Sequence, residues 1–435
     1  MLVEYTFGNY KSFKDQNSLS MLGVKSFKEH EESNVTVKEK FKILKSAVVY
    51  GSNAGGKSNL VNGLSAMKRL LMNSFRFALD ERNSLNVEKY LLNSKSTEIP
   101  SYFEVVFYQK EIRYRYGFEI LNEKVEGEWL FYSPIKKEVP LFERDQKEFI
   151  INKTSFKEGV EFSDKLRDNV LFISLIAQFK NESISNEVIN WFKNVNVING
   201  IQDLQYSRYT YDKFMRDEDF KKWLSSIVQG LEIANIEIED VDISDRFMLG
   251  KNDSIKFSMV SENTNGEIKK HNIKSAKITT WHKRYNENNL LIDAVPFDFL
   301  SQESEGTKKF INLLGPWYDT IKNGKVLIID ELDSRLHTCI TKYLISIFNN
   351  KRNNKSQLIF TSHDVNLLDK ELFRRDQIWF VEKDQFGASS LYSLADFKAV
   401  GVRNTSSFIR NYVNGKYGAL PHIKVNKDME NLIYG

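Results

Sequence analysis

An α/β fold is predicted by three observations. Short, fully apolar runs lie near both ends of the chain, at 47–50, 326–329 and within 356–364. Helical periodicity follows the first of them, and alternating apolar and polar residues fill 101–133 and much of 231–295. Buried parallel strands read as continuous apolar runs because helices cover both faces, whereas hairpins with one wet face alternate. The expected architecture is therefore an α/β core with an antiparallel β subdomain and an inserted helical and β lobe.

The first strand comes from Val3, Tyr5 and Phe7 alternating with Glu4 and Thr6. Residues 46–60, SAVVYGSNAGGKSNL, pass from apolar run to Gly-rich turn to helix, and Leu60, Leu64, Met67 and Leu71 share one helical face. Aromatic and β-branched residues crowd 101–133, with breaks at 109–111 and 122–124, as in antiparallel hairpins. NVLFISLIAQF (169–179) is a buried strand or the entry to a helix, and 180–230 reads as helical throughout. Helical spacing returns at 305–324 through Phe310, Leu314, Trp317 and Ile321, and Gly324 sits where a helix stops. The expected division is 1–175 for the first core lobe, 176–304 for the insertion, 305–400 for the second core lobe and 401–435 for a tail.

The chain has 435 residues, which at about 150 per domain implies two or three domains or lobes. It is 41% hydrophobic and 28% charged, the mix of a chain that buries a full core. Lys and Arg number 62 against 58 Asp and Glu, so nucleic acid would have to be held by a local patch rather than by the whole surface. A single cysteine, Cys339, excludes an internal disulfide framework and a cysteine-built zinc site. No uninterrupted apolar run reaches membrane-spanning length, and 1–16 lacks the pattern of a secretion signal. The expected setting is the cytoplasm, with no membrane partner.

Gly51, Ser52, Asn53, Ala54, Gly55, Gly56, Lys57 and Ser58 fit G-x-x-x-x-G-K-[ST] at every position, between a strand and a helix. In that setting successive backbone N–H groups turn toward phosphates, Lys57 adds a full positive charge, and the Ser58 hydroxyl is a hard ligand for Mg²⁺. Asp330 and Glu331 close the second apolar run. Carboxylates at the end of a buried strand are costly unless they meet a cation, so Asp330 is a candidate metal ligand and Glu331 a candidate base for water. His363, in Thr361-Ser362-His363-Asp364, follows the third run and is placed to sense a γ-phosphate. Ser304, Glu305 and Gly306 open the helix at 305–324: Ser304 is a good N-cap, and Gly306 leaves room for a phosphate.

Together these residues resemble an ATPase of the ABC-type, SMC-head-like class. More closely, the chain is similar to the bacterial AAA-type ATPases of abortive-infection and restriction-linked systems, the AbiL/RloA-like group. The resemblance runs through FGNYKSF (7–13), KSAVVYGSNAGGKSNL (45–60), ESEGTKKF (303–310), GKVLIIDELDSRLH (324–337), IFTSHDVNLLD (359–369), RRDQIWFVEKD (374–384) and NGKYGALP (414–421). It implies an ABC-type phosphate-loop ATPase core that uses ATP and Mg²⁺. It also implies that Ser304, Glu305 and Gly306 contact ATP held by a second protomer, that Asp333 lies in the loop after the base, and that Asn9 and Lys11 lie near the nucleotide with Asn59. Gln178 is the candidate for the glutamine that couples the metal site to the helical lobe.

The match departs from its class in one motif: Ser-Glu-Gly-Thr-Lys stands where ABC proteins carry Leu-Ser-Gly-Gly-Gln. Only 273 residues separate Lys57 from Asp330, too few for a long coiled-coil arm. No histidine has an arginine five positions upstream, so the R-x-x-x-x-H spacing of one RNA-nuclease class is absent. The acids Glu237, Glu239, Asp240, Asp242 and Asp245 alternate with Ile236, Ile238 and Val241 and read as the wet face of a strand. Residues 269–285 hold Lys269, Lys270, Lys274, Lys277, Lys283 and Arg284 with Trp281 and Tyr285 interleaved. They are a candidate nucleic-acid contact, against the plainer reading of a basic exposed face. The function expected is a regulatory ATPase of an antiphage system, an ATP-bridged homodimer gating an effector encoded nearby. The alternatives are a RecF-like DNA-repair ATPase and a transporter motor.

Overall fold

A computed structural model describes residues 1–78, 84–134, 137–202, 204–241, 255–256, 275–400 and 407–421. Compactness divides the chain into two units. One comprises Met1–Val197, Asn323–Leu332 and Lys342–Gly435, the other Ile198–Lys322 and Asp333–Thr341.

The first unit contains the six-stranded sheet that the apolar runs predict. Its order is Val195–Asn199, Val326–Asp330, Gln357–Thr361, Ser46–Gly51, Ile378–Lys383, Ser389–Ser393. Val326–Asp330, Gln357–Thr361, Ser46–Gly51 and Ile378–Lys383 are parallel neighbours, and the first three are buried along their whole length. A seven-stranded antiparallel sheet also belongs to this unit. Leu2–Gly8 pairs with Ser101–Gln109 and Asn17–Ser20, while Ile112–Leu121 and Lys124–Ser133 continue the hairpins expected from 101–133. Tyr5 and Phe7 point into the core while Glu4 and Thr6 lie half-buried on the other face.

Helix Lys57–Phe77 buries Leu60, Leu64, Met67 and Leu71, as its periodicity requires. Helix Ile184–Lys193 stacks Trp191 on Phe107 of the antiparallel sheet, with ring centroids 4.2 Å apart. The boundary expected at 175/176 therefore lies later, after Val197, because Phe172, Ile173, Val188, Trp191 and Phe192 all join this core. Val195–Asn199, expected as helix, is an edge strand, and the amide of Val326 donates to the carbonyl of Asn194 at its start. The buried Glu128 carboxylate accepts from the amides of Phe172 and Ile173 and from Tyr116, and it pairs with Arg144 at 3.0 Å. Burial raises its pKa, and Arg144 opposes that rise.

In the second unit, strands Ile233–Val241, Ser275–Tyr285 and Leu291–Asp298 form an antiparallel sheet. Glu237 and Glu239 are exposed between buried Ile236 and Ile238, the wet face that alternation predicts; Asp242 and Asp245 lie outside the described residues. Helix Glu305–Asn323, expected in the second core lobe, belongs here instead, and Gly324 after it takes φ +65°. Pro316 inside that helix has no N–H to give to the carbonyl four residues back, that of Asn312. The Thr210 hydroxyl of helix Leu204–Arg216 donates to that carbonyl instead. The helices cross closely there, for a Cβ at Gly315 would lie 2.3 Å from Thr210 Oγ1.

Candidate functional site

Strand Ser46–Gly51 runs into the Gly-rich loop and then into helix Lys57–Phe77. Each glycine of this loop has a steric reason. A Cβ at Gly51 would lie 2.4 Å from the Val381 carbonyl of the neighbouring strand, and Gly56 holds φ +122° with Ser389 Oγ 2.5 Å from where a Cβ would be. Ala54 also takes positive φ, at 60°. The buried Lys57 ammonium donates to the carbonyls of Gly51 at 2.7 Å and Ser52 at 3.2 Å, curling back over the loop. Asn53, Ala54 and Ser58 face outward, Ser58 in the first turn of the helix.

The loop is braced by residues that sequence reasoning missed. Ser389 Oγ lies 2.6 Å from the Gly55 carbonyl, to which it donates, and 2.8 Å from Ser12 Oγ. The Asn59 amide donates to Ser12 Oγ at 2.8 Å. Ser389 lies in none of the matching segments, and in FGNYKSF (7–13) only Asn9 and Lys11, not Ser12, were singled out.

The acid pair lies at the same edge of the sheet. Strands Val326–Asp330 and Ser46–Gly51 are parallel and separated only by Gln357–Thr361, so their C-terminal ends stand about 10 Å apart at two strand spacings. Asp330 is 8% exposed, and its Oδ1 accepts from Thr361 Oγ1 at 2.7 Å. The same Thr361 oxygen accepts from the Glu331 amide at 2.7 Å, which holds Glu331 at φ +55°. Thr361 was visible in the sequence as the first residue of Thr-Ser-His-Asp, but only the histidine drew notice. His363 follows it, exposed.

Asn9 and Lys11 both occupy positive-φ positions in the turn after the first strand. The buried Asn9 amide is fully committed: it donates to Ser96 O and Ile99 O, and its oxygen accepts from the Tyr90 amide. Asn9 therefore organises the turn. Lys11 pairs with Glu88 at 3.4 Å. Gln178 is exposed in the last turn of helix Phe172–Phe179.

In the second unit Ser304 caps its helix, its Oγ accepting from the Thr307 amide at 3.1 Å. Glu305 reaches Lys308 at 2.9 Å and Arg335 at 3.2 Å, and the Lys308 bond first holds its pKa down. Gly306 has a structural reason of its own, since a Cβ there would lie 2.8 Å from the Arg335 carbonyl. Lys309, wholly buried, donates to Ser334 O at 2.7 Å and Ser334 Oγ at 2.6 Å. These contacts clamp the segment beginning at Asp333 to the helix that Ser304 opens. Of the basic stretch at 269–285, Lys269, Lys270 and Lys274 lie outside the described residues, and Arg284 pairs with Asp293 on the next strand.

Among the described residues no group of three or more His, Cys, Asp or Glu side chains is placed to hold a metal alone. Mg²⁺ bound to phosphates needs no such cage, one or two protein oxygens being enough. Ser58 at the helix start and Asp330 at the strand end suit that role. A profile of the family described as "AAA domain, putative AbiEii toxin, Type IV TA system" matches residues 46–369, well over half of the chain. The chain belongs to that family. Its AAA domain has the expected α/β fold with a phosphate loop between strand and helix.

Two solved structures are similar to this chain. The SMC head domain from Thermotoga maritima has 12% identity over 90% of this chain and 98% of that one, with TM-score 0.38. The SmcHead bound to the C-winged helix domain of ScpA has 12% identity over 92% and 99%, with TM-score 0.44. No curated protein matches. Among the described residues no helix is long and apolar enough to cross a membrane.

Proposed function

We propose that this chain hydrolyses ATP with Mg²⁺ and works as the regulatory ATPase of an antiphage system. An ATP-bridged homodimer would hold or release a separately encoded toxic effector such as a nuclease, in the cytoplasm. The observation that carries this reading is the phosphate loop and the Asp330–Glu331 pair at one edge of one parallel sheet, a single strand apart. The family description, a putative toxin of a type IV TA system, supports a role beside a second gene product.

Each residue has a chemical part. The Lys57 ammonium neutralises the outer phosphates, and Ser58 and Asp330 would hold Mg²⁺, which would supply positive charge to the phosphoryl group. Glu331 takes the proton of the attacking water, and His363 hydrogen-bonds the γ-phosphate. Ser304, Glu305 and Gly306 act across the dimer, Asp333 lies in the loop after the base, and Asn9 and Lys11 shape the turn beside the nucleotide. Gln178 would couple the metal site to the helical lobe.

Calorimetry, phosphate release and light scattering test the reading together. Glu331→Gln should bind Mg·ATP and stay dimeric with turnover reduced about 100-fold or more, whereas Lys57→Ala should not bind it. Equal turnover by wild type and Glu331→Gln would remove the base assignment. Steeply salt-dependent DNA binding with DNA-stimulated hydrolysis would favour the RecF-like alternative.

A further inference from the structure

Glu303 stands directly before Ser304, the residue that caps helix Glu305–Asn323 in the second unit. Although acidic, its side chain is only 7% exposed. A carboxylate taken out of water is costly unless donors meet it. Two do: the Thr280 hydroxyl donates to Glu303 Oε1, and His282 Nε2 donates to the same oxygen at 2.7 Å.

The two donors are placed by strand alternation. Thr280 and His282 are two residues apart on strand Ser275–Tyr285, so both project from one face. Thr280 is wholly buried there, and the His282 ring lies over Phe297 of the neighbouring strand, with centroids 4.4 Å apart. Burial and ring contact leave neither donor room to turn away.

The segment between that neighbouring strand and the helix is shaped by short-range bonds. Asp298 Oδ1 accepts from the amide and the hydroxyl of Ser301, and the Asp298 amide donates to Gln302 Oε1 at 2.6 Å. These bonds form the turn but do not say where on the sheet the helix begins. The bonds of Glu303 do, for they reach back 23 and 21 positions to the middle of the sheet.

We infer that Glu303 is a positioning residue: by accepting from Thr280 and His282 it sets where Ser304, Glu305 and Gly306 stand, and so whether they reach ATP held by a second protomer. The inference rests on reading those three residues as the part that acts across the dimer. Glu303 acts through its neighbour alone, and an amide oxygen in its place would accept the same two bonds. A contacting group misplaced by about 1 Å can cost on the order of 100-fold in rate, so a bond made one residue before the cap is close enough to matter.

The test is complementation between inactive chains, read as phosphate release, with calorimetry on each chain alone. Glu303→Ala should lose about 10- to 100-fold in turnover while its Mg·ATP affinity stays within about twofold, because its own phosphate loop is untouched. Glu303→Gln, which keeps the acceptor, should retain most of the wild-type turnover. The double variant Thr280→Val/His282→Phe, which removes both donors and keeps a ring on Phe297, should match Glu303→Ala. Mixed in equal amounts with Lys57→Ala, Glu303→Ala should regain roughly a quarter of wild-type turnover, since half of the dimers are mixed and each of these has one sound site. Full turnover by Glu303→Ala or by the double variant would overturn the inference. So would a Glu303→Gln as inactive as Glu303→Ala, or a loss of Mg·ATP affinity in step with turnover. Gly306→Val mixed with Lys57→Ala is the control for the dimer. If that pair regains turnover and the Glu303→Ala pair does not, the positioning role alone falls. If neither pair does, the reading across the dimer falls and takes this one with it.

Discussion

The hydroxyl of Thr361 donates to Asp330 Oδ1 at 2.7 Å, on the neighbouring parallel strand. The same oxygen receives the Glu331 amide, so one side chain fixes both the proposed metal ligand and the backbone of the proposed base. Thr361→Val keeps the shape and removes both bonds. Turnover should fall about 10- to 100-fold with Mg·ATP affinity changed much less, and Thr361→Ser should restore most of it. Phosphate release and calorimetry on the two variants check this.

Gly56 holds φ +122°, and Ser389 Oγ is 2.5 Å from where a Cβ would sit. Gly56→Ala should abolish nucleotide binding and cost about 1–3 kcal/mol of stability through backbone strain alone. Chemical denaturation and nucleotide titration measure the two effects separately. Ser389→Ala, which removes the brace without adding bulk, should weaken nucleotide binding with a smaller loss of stability.

Lys309→Met should destabilise the second unit by about 1–3 kcal/mol, because Ser334 loses a buried charged donor. The same variant should lower ATP turnover with nucleotide affinity unchanged, since Asp333 and Arg335 flank the freed serine. Urea titrations and steady-state kinetics would show it.

The buried Lys45 ammonium, donating to Asn350 O at 2.9 Å, is pushed down by desolvation from the ordinary 10.5 to about 8. Between those values the unfolded chain binds the proton that the folded chain has released, so this group's contribution to stability rises with pH from about 8 to about 10.5. Melting curves at pH 7 and pH 10 should therefore show wild type gaining on Lys45→Met as pH rises. A gap that narrows in the opposite sense would contradict the assignment.

The parallel strands were legible because burial on both faces leaves no room for polar residues in 47–50, 326–329 or 358–360. The Gly-rich loop was legible because its glycines meet backbone and side-chain atoms that tolerate nothing larger. Thr361, Ser12, Ser389 and Lys309 were not, since ordinary hydroxyls and lysines gain their roles from partners that folding alone brings near. Val195–Asn199 was misread because its apolar residues continue those of the preceding helix, and only an open edge beside Val326 recruits them as strand. The bonds of Asn9 to Ser96, Ile99 and Tyr90 were not legible either, since each joins it to a residue more than 80 positions away.

Ser389 closes on Gly55 across 334 positions of chain. During synthesis the Gly-rich loop therefore leaves the ribosome long before its brace does. A nascent chain, or a fragment ended by premature termination ahead of that serine, carries every motif residue and still lacks the brace. The Gly-rich loop thus reaches its braced form only after a segment far along the chain has been made.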